Sequence, residues 1–229
     1  MGDENSPRKF LYLLMLSNNN IWGTKCSCGE DCFVLRSDLH PWQKTNYKLE
    51  IICPKCGKAN LVDQNKASTF YSRKILSLFD KLKPKVIDFG CGGGFLTAFA
   101  AQQFQVVDVY AVDIDKNVKS HVQAISPKVR FIEGSISEMC LVMREKPVDE
   151  LISRDVLMFL DNIESFIDDV TPYVGSKMRL LNWYMPNDRR VKNNLTPLQI
   201  RDLFINKGWK TKLSYLTWYK FGYFLEVDR

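Results

Sequence analysis

Two groups of residues in this 229-residue chain have the types and spacing for chemistry. The first is Val86-Ile87-Asp88-Phe89-Gly90-Cys91-Gly92-Gly93-Gly94-Phe95, where a short apolar run breaks into a glycine turn and then a helix-like segment. Gly90, Gly92 and Gly94 permit positive φ and a close backbone approach, and a helix beginning near Phe95 points free N–H groups at whatever sits there. Such a turn grips a cofactor. Asp113 ends a second apolar run, Val106 to Val112, where a carboxylate can accept both hydroxyls of a ribose. The second group is sulfur: five of the seven cysteines lie between Cys26 and Cys56. Cys26-Ser27-Cys28-Gly29 and Cys53-Pro54-Lys55-Cys56-Gly57 each put two thiolates on a turn whose glycine lets backbone N–H groups bend toward sulfur. Together Cys26, Cys28, Cys53 and Cys56 complete a tetrahedral zinc site. Cys32 competes with Cys26 or Cys28 for a place in it, and His40 is a weaker candidate.

The elements that must carry these residues alternate. Strands are expected at Val86 to Phe89, Val106 to Val112, Val129 to Ile132, Val148 to Ser153 and Met178 to Tyr184, with Leu213 to Trp218 and Tyr223 to Val227 as a closing hairpin. Helices are expected after the glycine turn, over Asp161 to Val174, and from Thr196-Pro197 as N-cap and first residue to a stop at Gly208. This order predicts an α/β fold with a doubly wound, mostly parallel seven-stranded sheet and an antiparallel last strand. A small cysteine module precedes it, in which Cys32 to Arg36 and Tyr47 to Ile52 are expected to pair as a hairpin. The expected domains are 1–66 and 67–229.

The glycines follow a G-x-G-x-G spacing with Asp88 two residues ahead, whereas the dinucleotide fingerprint is G-x-G-x-x-G with its acid about 20 residues later. The former resembles motif I of the class I S-adenosylmethionine-dependent methyltransferases, over about residues 68 to 229. The cysteine module resembles a zinc ribbon. The resemblance implies S-adenosylmethionine as cofactor, held by Asp88, Gly90, Gly92, Gly94, Asp113, Ile114, Ser135 and Ser153. Ser135 stands where the family carries an acid facing the adenine amino group, with Glu133 or a backbone group as alternatives. Ser153-Arg154-Asp155 resembles the loop where substrate meets the methyl group, so Asp155 and Tyr184 are candidate catalytic bases, with Asp188 as a further one.

Asn-Pro-Pro-Tyr, the signature of exocyclic amino methylation on nucleic acids, is absent. The net charge of +6 is spread: residues 1–66 carry nine basic against seven acidic side chains, and the remainder 23 against 19, so no strong polyanion surface is called for. The implied function is methyl transfer to an acceptor, a small molecule ahead of RNA or protein because the loops after strands four and five are short. The alternative is a zinc-ribbon binding module for nucleic acid or protein whose Rossmann-like domain binds cofactor without turnover. Phe10 to Leu16, the longest apolar run, is too short to span a bilayer. A cytoplasmic protein without membrane attachment is therefore expected.

Overall fold

The computed structural model describes residues 21–35, 48–186, 188–219 and 221–229. These form two compact units: the residues up to Leu78 together with Trp218 and Tyr219, and the residues from Phe79 to Thr217 together with Phe221 to Arg229. His40, Arg36 and Tyr47 lie outside the described residues.

The first unit consists of two antiparallel hairpins and a helix. Strand β1 (Ile21–Lys25) pairs with β2 (Asp31–Leu35), and β3 (Lys48–Ile52) with β4 (Ala59–Asp63). Each cysteine knuckle is the turn of its own hairpin. The first closes with Cys26 N–H donating to Glu30 O (2.8 Å) and Gly29 at φ 87°; the second with Cys53 N–H donating to Lys58 O (2.9 Å) and Gly57 at φ 70°. The expected pairing of Cys32 to Arg36 with Tyr47 to Ile52 is therefore corrected: Cys32 registers with Thr24 on β1, because a tight turn on positive-φ glycine returns the chain on itself. Helix α1 (Gln64–Ser77) is capped by Asp63, whose carboxylate accepts the Lys66 N–H at 2.8 Å. Its Phe70 ring packs on Gly23, where a Cβ would come within 2.6 Å. Tyr71 of the same helix stacks on Tyr219, centroids 6.0 Å apart.

The second unit is built on a seven-stranded sheet. In chain order it runs β5 (Lys85–Phe89), α2 (Phe95–Gln102), β6 (Asp108–Asp113), α3 (Lys119–Gln123), β7 (Val129–Glu133), α4 (Ile136–Glu145) and β8 (Val148–Arg154). It continues with α5 (Ile163–Val170), β9 (Val174–Trp183), α6 (Pro197–Asn206), β10 (Lys210–Leu216) and β11 (Gly222–Asp228). The sheet order is β10-β11-β9-β8-β5-β6-β7, with β11 antiparallel to both neighbours and the remaining pairs parallel. The order reverses beside β5, so the mouths of β5 and β6 face a crevice at the carboxyl ends of the strands. Strands of this sheet are covered on both faces, which is why they read as continuous apolar runs such as Val86-Ile87 and Leu180-Leu181.

Helix α5 stops four residues short of the expected Val174, and β9 starts there instead. Sheet pairing recruits Gly175, Ser176 and Lys177, whose polarity reads as loop in isolation. Thr196 caps α6 in a reciprocal box with Gln199, as its Thr-Pro start suggests. No helix among the described residues is long and apolar enough to cross a membrane.

One ion pair ties the base of the sheet together. Glu150 on β8 is fully buried and meets Arg179 Nε of β9 at 2.8 Å, and Arg179 Nη1 also donates to Asp80 O at 2.6 Å. Removing one partner leaves the other charge buried alone, so Arg179→Met should cost about 3–5 kcal/mol in urea unfolding. Arg179→Met combined with Glu150→Leu should recover most of that loss; equal stability of the single and double variants would show that the pair is not the reason.

Candidate functional site

The glycine turn closes the end of β5. Gly90 and Cys91 both donate N–H to Val112 O at 2.9 Å, which fastens the turn to β6, and Gly94 donates to Cys91 O. Gly90, Gly92 and Gly94 all have positive φ, at 72°, 49° and 79°. Their surroundings differ. A Cβ on Gly90 would lie 2.2 Å from Val156 Cγ2 and one on Gly94 2.5 Å from Ile125 Cδ1, whereas one on Gly92 would meet nothing within 4 Å. Gly90 and Gly94 therefore serve packing as well as backbone conformation, and the space over Gly92 is open. Helix α2 starts immediately beyond, with Gly94 as N-cap and no side chain covering its first N–H groups. That end is an anion-binding position by geometry.

Asp88 sits beneath this turn rather than on its surface. It is buried, and its Oδ2 accepts the Thr97 hydroxyl of α2 at 2.6 Å, so it clamps β5 to the helix. Burial pushes its carboxyl up to about 6, against the Thr97 hydrogen bond and the charge of Arg154.

Asp113, at the end of β6, spans the crevice. Its Oδ2 accepts the Gly92 N–H at 2.7 Å and its Oδ1 the Asp115 N–H at 2.9 Å. Asp115 itself caps the following turn by accepting the Asn117 N–H at 2.9 Å. Ile114, between them, is 79% exposed beside the turn. Ser135 is the N-cap of α4: its hydroxyl donates to Glu138 Oε2 (2.8 Å) and its N–H to the same oxygen (2.7 Å). Glu138 was missed in the sequence, although Ser-x-x-Glu before an apolar run is the signature of a capping box. The Ser135 N–H and then its hydroxyl hold Glu138 below the usual carboxylate range. Ser153 sits behind the glycine turn, fully buried with its hydroxyl donated to Phe89 O at 2.7 Å.

The loop after β8 faces the turn. Val156, whose side chain fills the space beside Gly90, and Leu157 both donate N–H to Asn182 Oδ1 at 3.1 Å. Asn182 is a second residue that sequence reading missed. Asp155 adopts φ 60°, donates its N–H to Leu181 O at 2.8 Å and lies 3.8 Å from Arg154 Nε. Arg154 in turn lies 4.9 Å over the Phe95 ring at the start of α2. Tyr184 is half-buried against the core at the end of β9, and its N–H donates to Phe221 O. Asp188 is gripped by Arg190 through two hydrogen bonds of 2.9 and 2.6 Å. Tyr223 on β11 is buried; burial and the Asp155 charge raise its hydroxyl well above the ordinary phenol value, so it stays protonated.

The thiols form a separate centre. The Sγ atoms of Cys26, Cys28, Cys53 and Cys56 lie within 4.8 Å of one another, with Cys26 to Cys56 at 3.7 Å and Cys28 to Cys53 at 3.6 Å. Zinc–sulfur bonds of about 2.3 Å in a tetrahedron give sulfur–sulfur edges of about 3.8 Å, so the set fits zinc. The Cys28 N–H draws the Cys26 thiol down to about 6. Burial raises Cys53, but the N–H groups of Cys56 and Lys55 bring it below the usual thiol range. Cys32 is buried just behind the four, with its thiol 3.8 Å from Glu30 O.

A doubly wound sheet in this order, with a glycine turn at the mouth of its central strand and an acid at the mouth of the next, is the fold shared by solved S-adenosylmethionine-dependent methyltransferases. Residues 87–172 match the methyltransferase domain family, Methyltransf_11. The chain is 31% identical over 114 residues to a malonyl-(acyl-carrier protein) O-methyltransferase of Halalkalibacterium halodurans, a match covering 44% of this chain and 35% of that one. It is 27% identical over 104 residues to a ubiquinone biosynthesis O-methyltransferase of Rickettsia felis, covering 44% and 41%. The chain thus spans well under half the length of these two relatives. Among solved structures, magnesium protoporphyrin IX methyltransferase from Synechocystis with bound SAM aligns with a TM-score of 0.54 at 18% identity, covering 72% of this chain and 83% of that one.

The Asp88 carboxyl yields a pH test. Its folded pKa is raised above the ordinary 3.8, so its stabilising contribution is complete below that value and is lost as pH rises through about 6. Asp88→Asn keeps an oxygen for Thr97 and removes the buried charge. Relative to the parent, it should gain about 1–3 kcal/mol between pH 4 and pH 7.5 in urea unfolding of ligand-free protein. A pH-independent difference would mean that the carboxyl is not held up by burial.

Proposed function

We propose that this chain transfers the methyl group of S-adenosylmethionine to a small-molecule acceptor. The observation that carries the reading is the Asp113–Gly92 bond: one carboxylate joins the open glycine turn to the mouth of β6. In this reading the methionine part lies over Gly90 to Gly94, with its carboxylate toward the uncovered N–H groups of α2. Each oxygen of Asp113 already accepts one backbone N–H and retains a lone pair for a ribose hydroxyl. Ile114 flanks the adenine, and Ser135 with Glu138 stands at the end of β7 to meet its amino group. Asp88 contributes by fixing β5 to α2 beneath the turn, and Ser153 by holding the Phe89 carbonyl behind it.

When bound, the cofactor supplies a methyl carbon already activated by the sulfonium, so the chain's task is alignment and exclusion of water. Val156 seals the turn from the acceptor side, and Asp155 is the residue placed to take a proton there. Tyr184 closes the neighbouring strand end. The relatives whose names specify an acceptor support a small molecule or a carrier-bound small group rather than a nucleic acid.

In the first unit, Cys26, Cys28, Cys53 and Cys56 are proposed to hold one structural zinc ion. Four thiolates saturate it and leave no position for water, so it takes no part in catalysis.

Titration calorimetry with S-adenosylhomocysteine should show one site, weakened by about 1.5–3 kcal/mol in Asp113→Ala, the value of hydrogen bonds to a charged group. Unchanged affinity would place the ribose elsewhere. Metal analysis of protein purified without chelator should find one zinc per chain, retained in Cys32→Ser and lost in Cys28→Ser. Retention in Cys28→Ser with loss in Cys32→Ser would reassign the fourth ligand.

A further inference from the structure

The mouths of β5, β6 and β8 are rich in carboxylates, and Arg154 sets a cation among them. Asp113 closes β6, Asp155 follows β8, and Asp88 lies buried under the glycine turn. Arg154 is the last residue of β8, and its charge reaches Asp88. The sheet decides where it points. Ile152 registers with Asp88 in the parallel pair of β8 and β5, so Arg154, two residues on, leaves the same face as Asp88, the face covered by α2.

From that face the Arg154 guanidinium lies 4.9 Å over the ring of Phe95, the first residue of α2. An aromatic face holds a guanidinium without using its N–H groups. The side chain is 30% exposed, and among the described residues it makes no hydrogen bond; Asp155 Oδ2 approaches its Nε only to 3.8 Å. Asp88 already accepts the Thr97 hydroxyl. Five N–H donors in a rigid fork are therefore fixed in place and left unspent, beside a helix start that no side chain covers.

We propose that Arg154 binds the carboxylate in the methionine part of S-adenosylmethionine and thereby makes the site select a cofactor that carries one. This rests on the methyltransferase reading. The cofactor brings three charges: a sulfonium and an ammonium, both positive, and a carboxylate. Asp113 and Asp155 attract the first two and repel the third. The start of α2 offsets that repulsion with only about half a charge. A guanidinium beside it supplies a whole one, and its fork matches both carboxylate oxygens. The space over Gly92 is open, which leaves room on the turn for the group that Arg154 would hold. A merely structural Arg154 would clamp β8 to α2 through the Phe95 ring and be indifferent to the ligand's carboxylate.

Calorimetry with two ligands tests the contact, because S-adenosylmethionine and its decarboxylated form differ only in the carboxylate. The parent protein should bind S-adenosylmethionine about 10- to 100-fold more tightly than the decarboxylated form, the range of charge-assisted hydrogen bonds. Arg154→Met keeps an unbranched side chain for the Phe95 ring and removes the charge. It should weaken S-adenosylmethionine about tenfold and leave the decarboxylated form within about threefold of the parent, which narrows the gap between the two. Arg154→Lys keeps the charge and loses the fork; it should narrow the gap by a smaller factor, and it gives a second readout if Arg154→Met fails to fold. Asp113→Ala should weaken both ligands alike, since both carry the ribose. Absence of S-adenosylmethionine binding to the parent removes the methyltransferase reading and the role of Arg154 with it. With binding in hand, equal affinity of the parent for the two ligands, or an equal loss of both in a folded Arg154 variant, would overturn the proposal alone and leave Arg154 as a clamp on α2.

Discussion

The hydrogen bond from the Gly92 N–H to Asp113 Oδ2, 2.7 Å long, is the constraint on which the candidate site depends. It exists because two parallel strands end side by side and because Gly92 reaches φ 49°, a conformation costly for a residue with a Cβ. Around it the other contacts fall into place. Gly90 and Cys91 fasten the turn to Val112, Asp88 and Thr97 fix the helix below, and the missing Cβ of Gly90 makes room for Val156. The turn is consequently held from three strands, β5, β6 and the continuation of β8, before any ligand arrives. Such preorganisation reduces the ordering cost of binding.

The same loop connects the two halves of the proposed chemistry. Val156 touches the turn with its side chain and Asn182 with its N–H, so a shift of this loop is felt at Gly90. Asp155, one residue earlier, sits at φ 60°. A non-glycine residue in that region is strained, and such strain persists only where the surroundings fix it. Here the Asp155 N–H to Leu181 O bond and the Asn182 clamp supply that fixing.

Much of this was legible in the sequence because the controlling features are local. Glycine spacing, an acid closing an apolar run and two cysteine–glycine turns each carry their geometry within a few residues, and alternation of strands and helices fixed the sheet. What was not legible depends on long-range pairing. Asn182 sits in Leu-Leu-Asn-Trp, where nothing local shows that it is buried and bonded 25 residues back to Leu157. Ser153 looked available at a strand end, but β8 is central and buried on both faces, so its hydroxyl points into the sheet. The pairing of β1 with β2 has no clear local signal, because Gly23 weakens the strand pattern of β1 and the Phe70 ring that occupies its missing side chain's space lies 47 positions away in α1.

A crystal structure of the protein with S-adenosylhomocysteine tests the central arrangement most directly. The expected density runs over Gly90 to Gly94, places both ribose hydroxyls on Asp113 with the Gly92 N–H bond retained, and turns the sulfur toward the loop that holds Asp155 and Val156. Density with the ribose away from Asp113, or with the sulfur facing away from that loop, would contradict it.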